Sequence, residues 1–362
     1  MSNKVFISVD AMGGDGSTDA IIQAISKFCK ISVETNFLIY GKKSIILPKI
    51  TDYQFPNNRY EVIDSDIIIS DNEKPTIAWR NSKNSSMRKA IEAVKECRAH
   101  GAISCGNTGA LMLISKMILG TLNHIKRPAI TALFPNINNN GTVLLDMGAN
   151  IECNESHLFH FALMGICFAK IILNIENPKI GILNVGSEVT KGRELESRVY
   201  EILEKSGLNF YGFVEGHEIV QGKVDVLVTD GFSGNIFLKA SEGAANACID
   251  LIKCSIINGG LITKIAGFIL KNALKKSFDV IDPNKSNGAM FAGLKGIVIK
   301  SHGAANNEGF LNAIKITHQL IKYNINNKIS QELEIFEKKG TGLNFVDKLK
   351  QASVKILGIN KK

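Results

Sequence analysis

The residues of this chain that could do chemistry gather in six glycine-rich polar loops, each just after a short apolar run. These are Asp10-Ala-Met-Gly-Gly-Asp15, Ser104-Cys-Gly-Asn-Thr-Gly109, Asp146-Met-Gly-Ala-Asn150, Asn184-Val-Gly-Ser-Glu188, Asp230-Gly-Phe-Ser-Gly-Asn235 and Ser301-His-Gly-Ala-Ala-Asn306. Glycine lets backbone approach a ligand closely, and a helix N-terminus behind each loop offers free N–H groups to an anion. The ligand implied is anionic and carries phosphate.

The loops differ in what they offer. Ser104, Gly106, Asn107, Thr108 and Gly109 make the fullest anion nest, with the capped turn as the plainer reading. In the first loop Gly13 and Gly14 suit a close phosphate, whereas Asp10 and Asp15 would repel it. Those aspartates either hold a cation or organise the loop's donors. No Asp/Glu/His cluster has metal-ligand spacing, so organisation is favoured, with Asp146 and Asp230 in the same role and no metal. Lys191 either faces solvent or reaches across the rim to phosphate as a point charge. Asn235 either donates to a developing oxyanion or caps the helix behind it. Cys105 lacks a neighbouring histidine in sequence and reads as turn filler, because a reactive thiolate needs a cation beside it. There is no Gly-x-Ser-x-Gly elbow, Walker lysine loop or Gly-x-Gly-x-x-Gly at the first strand, which speaks against serine hydrolase, nucleotidase and classical dehydrogenase.

Hydrophobic periodicity supplies the elements that must position these loops. Strands are expected at 5–9, 37–40, 62–70, 102–104, 130–134, 142–146, 179–185, 210–214, 224–229 and 297–300. Helices are expected at 19–29, 86–99, 110–119, 155–173, 192–206, from Ile236 to about Ile257, at 308–323 and at 330–338, with 41–60 loop-rich. Repeated strand–loop–helix units describe a parallel sheet whose strand ends share one ligand-binding rim. The domain expected is 1–330, a single α/β unit with a protruding helical hairpin at 236–278, followed by a Lys/Asn-rich tail at 331–362 with one short helix.

Net charge of +9 favours an acidic partner, whether nucleic acid, anionic lipid or an acidic carrier protein, and Arg80, Lys83, Arg88 and Lys89 lie in a Ser-rich basic stretch. Aromatic content of 7%, nowhere interleaved with basic residues, argues against nucleic acid. The seven cysteines show no CxxC spacing, no signal peptide is expected, and no run of 18 apolar residues occurs, so the expectation is a cytoplasmic protein. One segment is different: in 259–278 apolar residues recur at helical spacing, and Lys264, Lys271 and Lys275 fall on another face. That pattern fits a helix in the headgroup plane of an anionic membrane, touching it through Leu261, Ile262, Ile265, Phe268 and Ile269, or else a core or dimer-interface helix.

Eight ordered motifs carry a family likeness: VDAMGGD at 9–15, KNSSM at 83–87, SCGNTGALM at 104–112, RPAI at 127–130, LLDMGAN at 144–150, LNVGSE at 183–188, KGRELE at 191–196 and VTDGFSGN at 228–235. Through them the chain resembles the bacterial fatty acyl–acyl carrier protein:phosphate acyltransferase (PlsX) family. The resemblance implies a three-layer α/β/α fold with a mostly parallel Rossmann-like sheet, similar to phosphotransacetylases and isocitrate dehydrogenase-like enzymes. It implies that inorganic phosphate attacks the thioester of acyl–acyl carrier protein, without cofactor, giving acyl-phosphate for a downstream glycerol-3-phosphate acyltransferase in phospholipid synthesis. It also implies a homodimer attached peripherally to the inner face of the cell membrane, with Lys191 and Asn235 catalytic and Arg80, Lys83, Arg88 and Lys89 as contacts for the acidic carrier protein. The chain departs from the family at Cys105, where a small non-thiol residue is usual, and at Gly16-Ser17-Thr18, where a proline often stands. Two alternatives stand beside this reading: a phosphotransacetylase-like enzyme using acyl-CoA, and a non-enzymatic membrane scaffold.

Overall fold

The apolar runs become short strands and the amphipathic runs become helices. The computed structural model describes residues 4–14, 18–56, 58–138, 141–280, 282 and 284–338. In chain order the elements are β1 (Val5–Asp10), α1 (Thr18–Ile31), β2 (Thr35–Gly41), α2 (Lys43–Asp52), β3 (Tyr60–Asp64), α3 (Pro75–Asn81), α4 (Ser86–Lys95), β4 (Gly101–Ser104), α5 (Thr108–Leu119), β5 (Ala129–Phe134), β6 (Thr142–Leu145) and α6 (Glu155–Ile172). There follow β7 (Ile180–Leu183), α7 (Glu194–Lys205), β8 (Phe210–Val214), α8 (Gly216–Ile219), β9 (Val226–Val228), α9 (Gly231–Asn258), α10 (Leu261–Val280), β10 (Ala289–Ala292), β11 (Ile297–Lys300), α11 (Asn307–Lys322) and α12 (Ile325–Lys338).

One eleven-stranded sheet has the order β3-β2-β1-β4-β11-β10-β5-β6-β9-β7-β8. Helices α1, α6, α7, α11 and α12 pack on one face around Ile22, Phe161, Leu203, Phe310 and Ile329. On the other face α3, α4 and α5 pack through Ala78, Ile91 and Ile114. The result is a three-layer α/β/α fold. Helix α6 is the one described helix long and apolar enough to cross a membrane, and 83% of that stretch is buried in the core.

Two expectations change here. The strands from β3 to β11 are parallel, and so are β6, β9, β7 and β8. Between these blocks β10 runs antiparallel to both β11 and β5, and β5 antiparallel to β6. The two parallel blocks therefore point in opposite directions, and the six loops do not share one rim. Loops 10–15, 104–109 and 301–306 stand at one end of the sheet, and loops 146–150, 184–188 and 230–235 at the other. The second change concerns the tail. Ile325, Ile329, Leu333 and Phe336 of α12 are buried, so a boundary at 330 falls inside a core helix. The rest of the tail, from 339, lies outside the described residues.

Backbone contact at the start of α9 reunites the two loop sets. This helix begins at the second end and runs back over the sheet, with Phe237 meeting Phe134 of β5 at a ring separation of 5.1 Å. A side chain on Gly234 would overlap the Asp146 carbonyl oxygen, so only glycine lets the helix lie this close. Gly234→Ala is expected to destabilise the fold by about 1–3 kcal/mol through overpacking; an unchanged urea midpoint would contradict the contact.

Candidate active site

Each functional loop is first of all a self-bonded turn. Buried Asp146 accepts from the N–H groups of Ile130 (3.0 Å), Gly148 (3.2 Å), Ala149 (3.0 Å) and Asn150 (2.8 Å), and from Asn150 Nδ2 (2.8 Å). Buried Asp10 accepts from Ser104 Oγ at 2.7 Å and from Met12 N–H at 3.2 Å. Burial pushes both carboxyls above their ordinary range, against the pull of these donors. Asp230 caps α9, accepting from Ser233 N–H at 2.7 Å, and pairs with Arg193, which also grips Glu196. Asp15 lies outside the described residues. Among the described residues no three His, Cys, Asp or Glu side chains converge as metal ligands would.

The expected nest is partly occupied by the protein itself. The N–H of Gly106 donates to Ser104 Oγ at 3.0 Å. The side chain of Asn107 caps α5 through Ala110 N–H at 3.0 Å, and its Nδ2 donates to the carbonyls of Asp71 (2.7 Å) and Glu73 (2.9 Å). A Cβ on Gly13 would stand 2.7 Å from Gly106 N, and one on Gly14 2.7 Å from the Cys105 carbonyl oxygen. The two glycines thus let one loop stack on the other. Thr108, the first residue of α5, stays exposed, and Gly109 follows it.

Thr108 opens onto a cavity of about 1250 Å³ under the hairpin α9–α10, on the sheet face carrying α5. Its walls are mostly apolar: Ile130, Leu133 and Phe134 from the sheet, Ile249, Ile252 and Ile256 from α9, and Leu274 and Phe278 from α10. Its polar lining includes Thr108, Lys300 and His302 from the first loop end, Gly148 from the second, and Asn235 from α9. Asn235 packs its Cβ and Cγ 3.4 Å from where a Gly148 side chain would begin, and its carboxamide makes no hydrogen bond among the described residues. It is not the helix cap, because Asp230 starts α9 one turn earlier.

Lys300 is the site residue that the sequence reading passed over. It closes the apolar run of β11, where a terminal lysine reads as a strand end facing water. Here it donates from Nζ to the Cys105 carbonyl at 2.7 Å and to the Ser301 carbonyl at 2.5 Å. Burial lowers its pKa. Buried Cys105 has its thiol pushed up to about 11 by desolvation, so it stays protonated at neutral pH. His302 accepts at Nδ1 from Ala304 N–H at 3.2 Å, leaving the ring proton on Nε2, and burial lowers its pKa. His100 lies before β4, where its Nδ1 accepts from Phe6 N–H at 3.0 Å, at the far end of the strand from Cys105.

Other expected residues lie outside the cavity lining. Lys191 is exposed in the β7–α7 loop and pairs with exposed Glu188 at 2.7 Å, the hydrogen bond that holds its pKa above the ordinary value. Arg80 and Lys83 are exposed. Arg88 is tied to Glu92 at 2.7 Å and lies over Trp79 at 4.8 Å, and Lys89 donates to the Asp64 carbonyl at 2.9 Å. These last two are engaged within the fold and are less free for a partner than the sequence suggests. Leu261, Ile262, Ile265, Phe268 and Ile269 all face outward, Ile262 and Phe268 being 84% and 79% exposed.

A three-layer α/β enzyme with an apolar chamber ending in hydrogen-bond donors is the class this geometry defines. The same fold occurs in a phosphotransacetylase from Streptococcus pyogenes (TM-score 0.60, 16% identity, 89% of this chain and 95% of that one). It also occurs in a branched-chain phosphotransacylase from Enterococcus faecalis (TM-score 0.53, 13% identity, 88% and 99%). The family model described as "Fatty acid synthesis protein" matches residues 5–328. The chain is 43% identical over 336 residues to a phosphate acyltransferase of Ehrlichia ruminantium, covering 91% of this chain and 98% of that protein. It is 42% identical over 334 residues to one of Wolbachia pipientis wMel, covering 91% and 96%. The chain belongs to this phosphate acyltransferase (PlsX) family and is an acyltransferase, its reaction an acyl transfer involving phosphate.

The thiol assignment is open to direct measurement. Mild alkylation of the native protein near pH 8, read by peptide mass spectrometry, is expected to label exposed Cys97, Cys248 and Cys254 and to spare Cys105. Rapid labelling of Cys105 would mean an activated thiolate.

Proposed function

We propose that this chain transfers a fatty acyl group from acyl–acyl carrier protein to inorganic phosphate, releasing acyl-phosphate for phospholipid synthesis. The observation that carries this reading is the cavity: an apolar chamber of about 1250 Å³ continuous with Lys300, Thr108 and the unpartnered carboxamide of Asn235. The acyl chain occupies the apolar part. A phosphate oxygen attacks the thioester carbonyl carbon, and Asn235 donates to the oxygen that becomes negative. The carbon–sulfur bond then breaks, its electron pair stays on sulfur, and the proton carried by hydrogen phosphate ends on that sulfur. No protein nucleophile is required, which accords with a Cys105 thiol held protonated. Lys191, which the family resemblance makes catalytic, is bound only by an exposed partner. An exposed ion pair is worth little, so Lys191 can leave Glu188 at slight cost.

Purified enzyme is expected to form acyl-phosphate only when phosphate is present. Asn235→Ala should lower kcat by about 10²–10³ with the thioester KM retained, as for loss of an oxyanion donor. Undiminished product from the Lys191→Ala/Asn235→Ala double variant would overturn the assignment.

The reading extends to the setting. The chain works as a homodimer at the inner face of the cell membrane. Arg80 and Lys83 receive the acidic carrier, and the outward apolar residues of α10 enter the lipid surface. Ile262→Asp and Phe268→Asp are expected to weaken sedimentation with anionic vesicles by about tenfold while soluble turnover continues. Full vesicle binding by both variants would exclude α10 as the contact. Loss of soluble turnover in folded variants would favour a scaffold role.

A further inference from the structure

Lys300 is half-buried, and its ammonium forms no ion pair among the described residues. Its strand position faces Ser104 across the β11–β4 register, so the loops of both strands close around it. Two carbonyls, of Cys105 and Ser301, take two of its three N–H groups. Carbonyl oxygens return only part of the hydration that a partly buried cation loses, so the position lacks a full counter-charge. The charged and titratable groups facing it are Asp10 and Asp71, the Cys105 thiol, and Lys239 of α9, with neutral His302 alongside. Lysine, Thr108 and His302 line the same polar end of the cavity, and Asn235 lines its roof.

We propose that Lys300 is the phosphate-binding cation of this cavity, holding inorganic phosphate through its third N–H together with the Thr108 hydroxyl and His302 Nε2–H. This rests on the acyl-transfer reading above and names the residue that seats its nucleophile. A phosphate dianion there supplies the missing counter-charge. The two carbonyls fix the ammonium, so phosphate is oriented toward a thioester carbon beneath Asn235.

The test uses the full chain with phosphate and carrier thioester varied independently. Lys300→Met is expected to raise the KM for phosphate by about tenfold or more while the thioester KM stays within about twofold. A second measurement needs no turnover: inorganic phosphate should raise the melting temperature of the wild-type protein and not that of Lys300→Met. A third uses pH. Burial lowers the lysine pKa, so kcat/KM for phosphate should fall as pH rises through that value, when the ammonium loses its charge. Lys300→Arg remains charged and should lose that alkaline fall, which carries the test if the methionine variant does not fold.

An unchanged phosphate KM in folded Lys300→Met, a rise confined to the thioester KM, or an alkaline limb retained in Lys300→Arg would each overturn the assignment. If wild-type enzyme makes no acyl-phosphate, the reaction falls, and the phosphate-dependent melting shift still judges the site by itself.

Discussion

The close approach of two backbones, at Gly234 and Asp146, is the contact on which the site depends. Strand direction reverses at the centre of the sheet, because β10 and β5 each run against their neighbours. Loops suited to an anion are thereby sent to opposite ends. Helix α9 must cross the sheet face to join them, and it can lie low enough only because Gly231 and Gly234 present no side chain to the 146–150 loop. The capping carboxylate of Asp230, held by Arg193, fixes where that helix starts. Asn235 then faces Gly148, and the next turns bring Lys239 and Glu242 over Lys300 and His302. The chamber lies between this helix, pinned at one end, and the sheet beneath it.

Electrostatics then decides what the chamber can hold. The two deepest carboxylates, Asp10 and Asp146, are enclosed by their own loops, and their oxygens face donors, not the cavity. The cations Lys239, Lys253, Lys271, Lys275 and Lys300 all line it, against Glu242 and Asp282. An anion is therefore favoured in the chamber. A protein thiolate is not, because desolvation at Cys105 outweighs the hydrogen bond from Ser301 and the nearby Lys300 charge. On the function proposed, the anion itself is then the nucleophile.

The loops and most strands were legible because strands buried on both faces read as continuous apolar runs, and polar glycine-rich punctuation marks their ends. Strand direction is not written in such runs. Nothing in the four residues of β10 (AMFA) signals that they reverse the sheet, so the single rim was a natural but mistaken expectation. Proline misled within 41–60, the stretch expected to be loop-rich. Pro48 lies within α2, where a breaker reading gives loop. Ser85 was legible as the cap of α4 because its hydroxyl takes the N–H of Arg88, a local interaction at fixed spacing. Lys300 was not, since its role comes from Cys105, a contact 195 residues away in sequence. The same holds for Asn107, whose amide is occupied by carbonyls 34 and 36 residues upstream.

Helix α10 separates two tasks by helical geometry alone. Gly267, Lys271, Leu274, Lys275 and Phe278 recur at spacings of three and four and face the chamber. Leu261, Ile265, Phe268 and Ile269 recur the same way on the outside. On the function proposed, this arrangement answers an energetic difficulty in product release. Moving a methylene group from an apolar wall into water costs about 0.8 kcal/mol. A fatty chain of roughly sixteen carbons would thus face more than roughly 10 kcal/mol on leaving through solvent. A hinge or a charge pair cannot recover that much. If the outer face of these helices contacts lipid, as proposed, the route stays apolar and the chain need not cross water. The exposed apolar residues of α10, which would be a liability on a freely soluble protein, then belong to the same problem as the cavity beneath them.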